Sequence, residues 1–302
     1  MRTPAFLSLF LLSAALVAQA PAPVQAPAPV QAPAQSLGDQ VKAERPAIEQ
    51  LMTELKYPEA MKRSEALLPA AKPTFNKTDN TTLVQSCALF LDLATAYRLA
   101  AETADSAGAW EKALDYAKAG REAAMESYAG VKEPFTKNAA DYAAVSLRAK
   151  QVLVENDDRI KELKAKKVLD AGERQELDLA LGVEREVGDS LKWSKFFQTY
   201  VDVAKRESGS YDPLVKVMED KLKGEATQVA DYKAGKGDRL KWVDAVISTP
   251  AYLEAQGDRA GKARWLYRLA TLAPENKKVQ HQLDVLNGKA SAPPAKAGKK
   301  VK

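Results

Sequence analysis

Cysteine and histidine are almost missing from this chain of 302 residues, which has one of each, Cys87 and His281. A single cysteine closes no intramolecular disulfide, so a folded body must hold together by packing. The same shortage excludes the usual zinc sites, which draw three or four ligands mostly from these two residue types. A Ser-His-Asp triad would have to use His281, and no Gly-x-Ser-x-Gly elbow accompanies it. His281 lies within Lys277–Gln282 on a polar helical stretch and reads as a solvated helix residue. Cys87 sits in the apolar run Leu83–Phe90 and reads as a buried, inert thiol. Sustained alternation of apolar and polar residues is also missing, which excludes a sheet. A phosphate-binding loop fails at Gly257-Asp258-Arg259-Ala260-Gly261-Lys262-Ala263. It is one residue short between its glycines and ends in alanine where a Ser or Thr is needed. Glu155-Asn156-Asp157-Asp158 lacks the spaced ligands and turn glycine of a calcium loop. No catalytic, cofactor-binding or metal-binding residue is therefore assigned.

Long apolar runs are few. The one at the start, Ala5 to Val17, follows a single charge at Arg2 and precedes Ala18-Gln19-Ala20, a small-residue cleavage pattern. This layout predicts a secretory signal peptide over 1–20, cleaved after Ala20, and a periplasmic or secreted chain. The run falls short of the roughly 20 apolar residues of a transmembrane span, so none is expected in the mature chain. An uncleaved anchor is the alternative. Residues 21–36 read PAPVQAPAPVQAPAQS, an uncharged Ala/Pro-rich linker that favours extended polyproline II. It serves as a spacer or, in the sharper reading, as a proline-rich ligand. The far end, 288–302, carries Lys289, Lys296, Lys299, Lys300 and Lys302 and no acid. Setting these five and Arg2 aside from the 45 basic residues leaves 39 against 40 acidic ones, so the body is near neutral. The lysine tail is expected to be disordered. It either solubilises the chain or makes weak contact with an anionic surface. Nothing in the composition points to nucleic acid.

Between these ends, 37–287 reads as one helical domain rich in Ala, Leu, Glu and Lys. Helical pairs are expected near 40–68, 82–128 and 240–274. A long antiparallel hairpin is expected over 137–206, where no proline intervenes. Tyr142, Val145, Ala149, Val152, Ile160 and Leu163 form a heptad-like, coiled-coil seam in it. Gly130 to Thr136, which includes Pro134, reads as a break, and Gly188-Asp189-Ser190 as a second one. Asp170-Ala171-Gly172 reads as the hairpin turn, and Asp212-Pro213 and Thr249-Pro250 as helix starts.

Three segments share a spacing of small and aromatic residues. They are Tyr57 with Ala60, then Gly108, Trp110, Ala113, Ala117 and Gly120, then Ala263, Tyr267, Ala270 and Pro274. Small residues let two helices cross closely and a larger one fills the hole between them. This resembles the second helix of tetratricopeptide repeats. The first helices match less well, and 131–250 shows no repeat. The resemblance implies an all-α, solenoid-like array of helical hairpins that binds peptides or proteins.

Trp193, Phe196, Phe197 and Tyr200 fall on one helix face at i, i+3, i+4 and i+7. They are either core between long helices or an exposed groove for a partner, and their burial decides. The expected function is an exported, non-catalytic scaffold or adaptor that binds a protein or peptide in the cell envelope. A carboxylate-dependent enzyme acting on an envelope glycan is the alternative, since its acid pair needs no local motif.

Overall fold

A computed structural model describes residues 36–234, 242–243, 246 and 249–290. The proposed leader, all of the spacer but Ser36, Lys296, Lys299, Lys300, Lys302 and most of 240–248 lie outside these residues. The chain is all-α, and no strand occurs among the described residues. Its helices are α1 (Leu37–Thr53), α2 (Tyr57–Glu65), α3 (Asn80–Ser106), α4 (Trp110–Glu155), α5 (Asp157–Ala165), α6 (Ala171–Ser210), α7 (Asp212–Ala234), α8 (Thr249–Ala255), α9 (Arg259–Leu272) and α10 (Lys277–Leu286). Among the described residues, no helix is long and apolar enough to cross a membrane.

Local chemistry sets many of the helix starts. The Ser36 hydroxyl accepts from Asp39 N–H at the head of α1, and Pro58 occupies the first turn of α2. Asp170 caps α6 reciprocally: its carboxylate accepts from Glu173 N–H at 2.8 Å, and its own N–H donates to the Glu173 carboxylate. Asp258 caps α9 by accepting from Gly261 N–H at 2.7 Å, after Gly257 turns the chain with φ +79°. The glycines of this phosphate-loop-like segment thus make a helix-to-helix turn.

Two expected breaks are absent, and one unexpected break is present. α4 continues through Gly130–Thr136 with Pro134 inside it, and α6 continues through Gly188-Asp189-Ser190. A proline in a helix interior costs about 3 kcal/mol. On either side of it, Val131 and Phe135 are fully buried, at roughly 1.5–3 kcal/mol each, which offsets that cost. Gly130, whose carbonyl the proline ring would crowd, packs against Phe75 in space that a Cβ would fill. The helix instead stops at Asn156, whose amide donates to the Val152 carbonyl at 2.7 Å and competes with the backbone.

The described chain forms two compact units that are not consecutive in sequence. One comprises 75–88 and 125–207, the other the described parts of 33–74, 89–124 and 208–302. In the first unit α4 and α6 run antiparallel. Ser194 Oγ donates to the Ala139 carbonyl at 2.8 Å and Ser146 Oγ to the Val187 carbonyl at 3.3 Å. Tyr142, Ala149, Ile160 and Leu163 of the seam are buried. α5 adds Ile160, which packs with Ala180 of α6, and Arg159, which pairs with Glu176 at 2.9 Å.

In the second unit α1, α2 and α3 share a core of Val41, Ile48, Ala60, Ala96 and Leu99. α7 crosses α3 and α4 at alanines: Val215 packs on Ala101 and Ala117, and Met218 on Ala104 and Ala113. Gly120 belongs to the same crossing. A Cβ there would come within 2.6 Å of the buried Tyr211 ring, whose hydroxyl donates to the Ala94 carbonyl. Gly188, by contrast, is a helix-interior glycine, and a Cβ added to it would meet nothing within 4 Å. Two substitutions should therefore move stability in opposite directions in denaturant titrations. Gly188→Ala should gain about 0.5–1 kcal/mol from helix propensity, and Gly120→Ala should lose about 1–3 kcal/mol by overpacking.

Candidate functional site

The best-built polar constellation among the described residues surrounds Arg268 of α9. The residue is fully buried. Nε donates to the Glu225 carboxylate at 2.7 Å, and Nη2 reaches the same carboxylate at 2.7 Å. The Nη atoms bind Glu111 at 2.8 and 2.9 Å, and Nη1 also donates to the Gly108 carbonyl at 2.9 Å. The guanidinium lies over the Trp110 ring at 4.5 Å. Lys221, paired with Asp105 at 2.6 Å, approaches the same ring at 5.7 Å. Burial opposes the Arg268 charge, but the Glu111 and Glu225 carboxylates outweigh it, and its pKa is raised.

This arrangement brings several sequence-predicted residues together. Trp110 stacks on Trp265 at 6.1 Å, and Trp265 meets Trp242 edge-on. Gly108 has φ +73°, and a Cβ there would overlap the Arg268 backbone. Tyr57 and Tyr267 are buried and meet edge-to-face at 5.7 Å. Ala60, Ala113, Ala117 and Ala263 are fully buried, Ala270 is half-buried, and Pro274 is exposed beyond the end of α9. Arg268, Glu225 and the Asp105–Lys221 pair are residues that sequence reasoning missed. All the guanidinium's donor directions are taken by the chain itself, so Arg268 ties helices together.

The aromatic stripe lies in the other unit and is mainly packing. Phe197 is fully buried and cannot meet a partner as part of an exposed groove. It sits 5.0 Å from Phe135 and stacks on Tyr142 at 6.0 Å. Trp193, Phe196 and Tyr200 are half-buried. Trp193 stacks on Tyr142, and Phe196 lies between Trp193 and Tyr200. Cys87 is buried beside Ser127, and burial pushes its thiol pKa up. His281 and Lys289 are exposed.

Among the described residues, no three His, Cys, Asp or Glu side chains converge as a metal site. Among the described residues, the carboxyls held above their usual range are Asp92 and Glu102, each through desolvation, although Glu102 as a residue stays exposed. They stand ten residues apart on α3, about 15 Å along the axis. Comparisons with family models, curated proteins and solved structures find no match for this chain.

Two outcomes follow from these environments. Arg268→Met should cost about 3–5 kcal/mol in a denaturant titration, because it strands the largely buried Glu225 charge. Adding Glu225→Gln should recover part of that loss, and a double-mutant cycle measures the coupling. Asp92 lies against the head of α1, where Gly38 N–H donates to it at 3.2 Å. Its folded pKa is raised, so its contribution is fully present below the unfolded value, about 3.9, and is lost as pH rises through the folded value. Asp92→Asn should therefore stabilise the protein at pH 7, with the gain vanishing toward pH 3 in stability-against-pH curves.

Proposed function

We propose that the chain is an exported, non-catalytic helical-repeat scaffold that binds a protein or peptide partner in the cell envelope. The observation that carries this reading is the use made of the repeat-like small residues. Ala113 and Ala117 are fully buried where α7 crosses α3 and α4, and Ala60 is fully buried where α2 meets α3. Close crossings at small residues are how stacked helical hairpins build an extended binding surface. The resemblance to tetratricopeptide repeats belongs to this proposal. So does export, for which the leader pattern over 1–20 is the support.

The Arg268 cluster is satisfied within the chain, which supports a packing role for it. A lysine-rich end would add weak, salt-sensitive attraction to an acidic partner or surface. The test is affinity capture of the chain beginning at Pro21 against a fractionated envelope extract. A protein or peptide retained in a fixed ratio to the chain, and competed by the free chain, is the expected result. Retention only of glycan, with its turnover, would overturn the reading.

A further inference from the structure

We infer that α4 carries a second, outward seam through which two copies of the chain associate in parallel. The helix has two apolar faces. One packs inward through Phe135, Tyr142 and Ala149. The other consists of Ala140, Ala144, Leu147, Gln151 and Val154, all exposed, with Leu147 at 68 % and Val154 at 75 %. Their spacing is 4, 3, 4 and 3, the stripe of a coiled-coil seam. Ala140, Leu147 and Val154 take the d positions, and Ala144 and Gln151 the a positions. The seam is about 21 Å long.

Charge complementarity selects the occupant and its direction. Lys150 falls at g and Glu155 at the following e, the pair that meets between copies in a parallel coiled coil. Two-fold symmetry makes this contact twice. An antiparallel pairing that sets Leu147 on Gln151 and Val154 on Ala144 gives the opposite result. It brings Arg148 onto Arg148, Lys150 onto Lys150 and Asp141 onto Glu155. Gln151 adds direction, because a polar a-position residue meets its own copy only in the parallel arrangement and fixes register. Within one copy, Glu155 accepts only a long bond from Gln151 at 3.3 Å, so its carboxylate remains accessible to a lysine. The interface is small and predicts a weak, concentration-dependent dimer.

The chain's shortage of cysteine supplies the test. Cys87 is buried, so a single Val154→Cys substitution introduces the one accessible thiol among the described residues. In a parallel dimer this d position faces itself, and mild added oxidant should crosslink the full chain as a covalent dimer. Val168→Cys, at an equally exposed position off the seam, should crosslink far less. Sedimentation equilibrium should show dimerisation that Leu147→Asp removes. Glu155→Lys should weaken it, and Lys150→Glu combined with Glu155→Lys should restore it. A chain that stays monomeric at every concentration would overturn the proposal. So would a dimer indifferent to Leu147→Asp, or one that Glu155→Lys strengthens, since that is the antiparallel outcome. Circular dichroism of each variant separates lost association from lost folding.

Discussion

One buried cation organises the unit that contains both described ends of the chain. Arg268 binds Glu111 at the head of α4, Glu225 in α7 and the carbonyl of the turn between α3 and α4. Removing a guanidinium from water is costly, and only near-complete pairing makes it tolerable. Here every donor direction has a partner and Trp110 covers one face. The consequence is register. α9 cannot slide along its neighbours without leaving a charge unpaired in a dry interior, whereas apolar side chains alone tolerate small shifts. Gly108 completes the constraint, because its φ of +73° and the nearness of the Arg268 backbone both require a residue without a Cβ.

Around this anchor the crossings rely on small residues. Buried alanines contribute little transfer free energy each, since hydrophobic gain scales with apolar area. Their value is the close approach they permit, which lets Met218, Val215 and the Tyr211 ring settle between backbones. Large aromatics then supply the area that alanines cannot. In one unit Trp110, Trp242 and Trp265 gather beside Arg268. In the other Phe135, Tyr142, Trp193 and Phe197 fill the space between α4 and α6. The second unit thus joins narrow crossings to aromatic packing and the first fills its helix pair with aromatics, which suits a chain whose one cysteine closes no intramolecular disulfide.

Helix class and most helix starts were legible because they depend on neighbours in sequence. Asp258 caps α9 within a turn of itself, and the seam of Tyr142 and Ala149 repeats along α4 before Ile160 takes it up in α5. The failures are tertiary. Pro134 and Gly130 look like a break until Phe75 and Phe197, far away in sequence, are seen to bury their surroundings. Arg264 and Arg268 are four residues apart on one amphipathic helix and look alike. The first is exposed and the second fully buried, because Glu111 and Glu225 arrive from elsewhere in the chain. The small residues of the repeat-like segments gave a readable clue to the packing. No local pattern marks the charged residue at its centre.

A helix stretch with two apolar faces invites two partners, and among the described residues the part of α4 from Phe135 to Val154 has one of them, α6. The inner face is satisfied by α6, at distances that leave no ambiguity about what it serves. On the outer face, exposed leucine and valine cost solubility without contributing to the fold, and isolated cases of that kind are common. The distinction here is order. The apolar positions recur at seam spacing, are interrupted once by Gln151, and are flanked by Lys150 and Glu155 at the positions that meet across a parallel pair. Random surface apolarity carries no reason for charge to alternate around it in that phase. Pairing two copies through such a seam doubles the surface that one assembly presents, and linkage of the copies raises a modest affinity for any multivalent ligand.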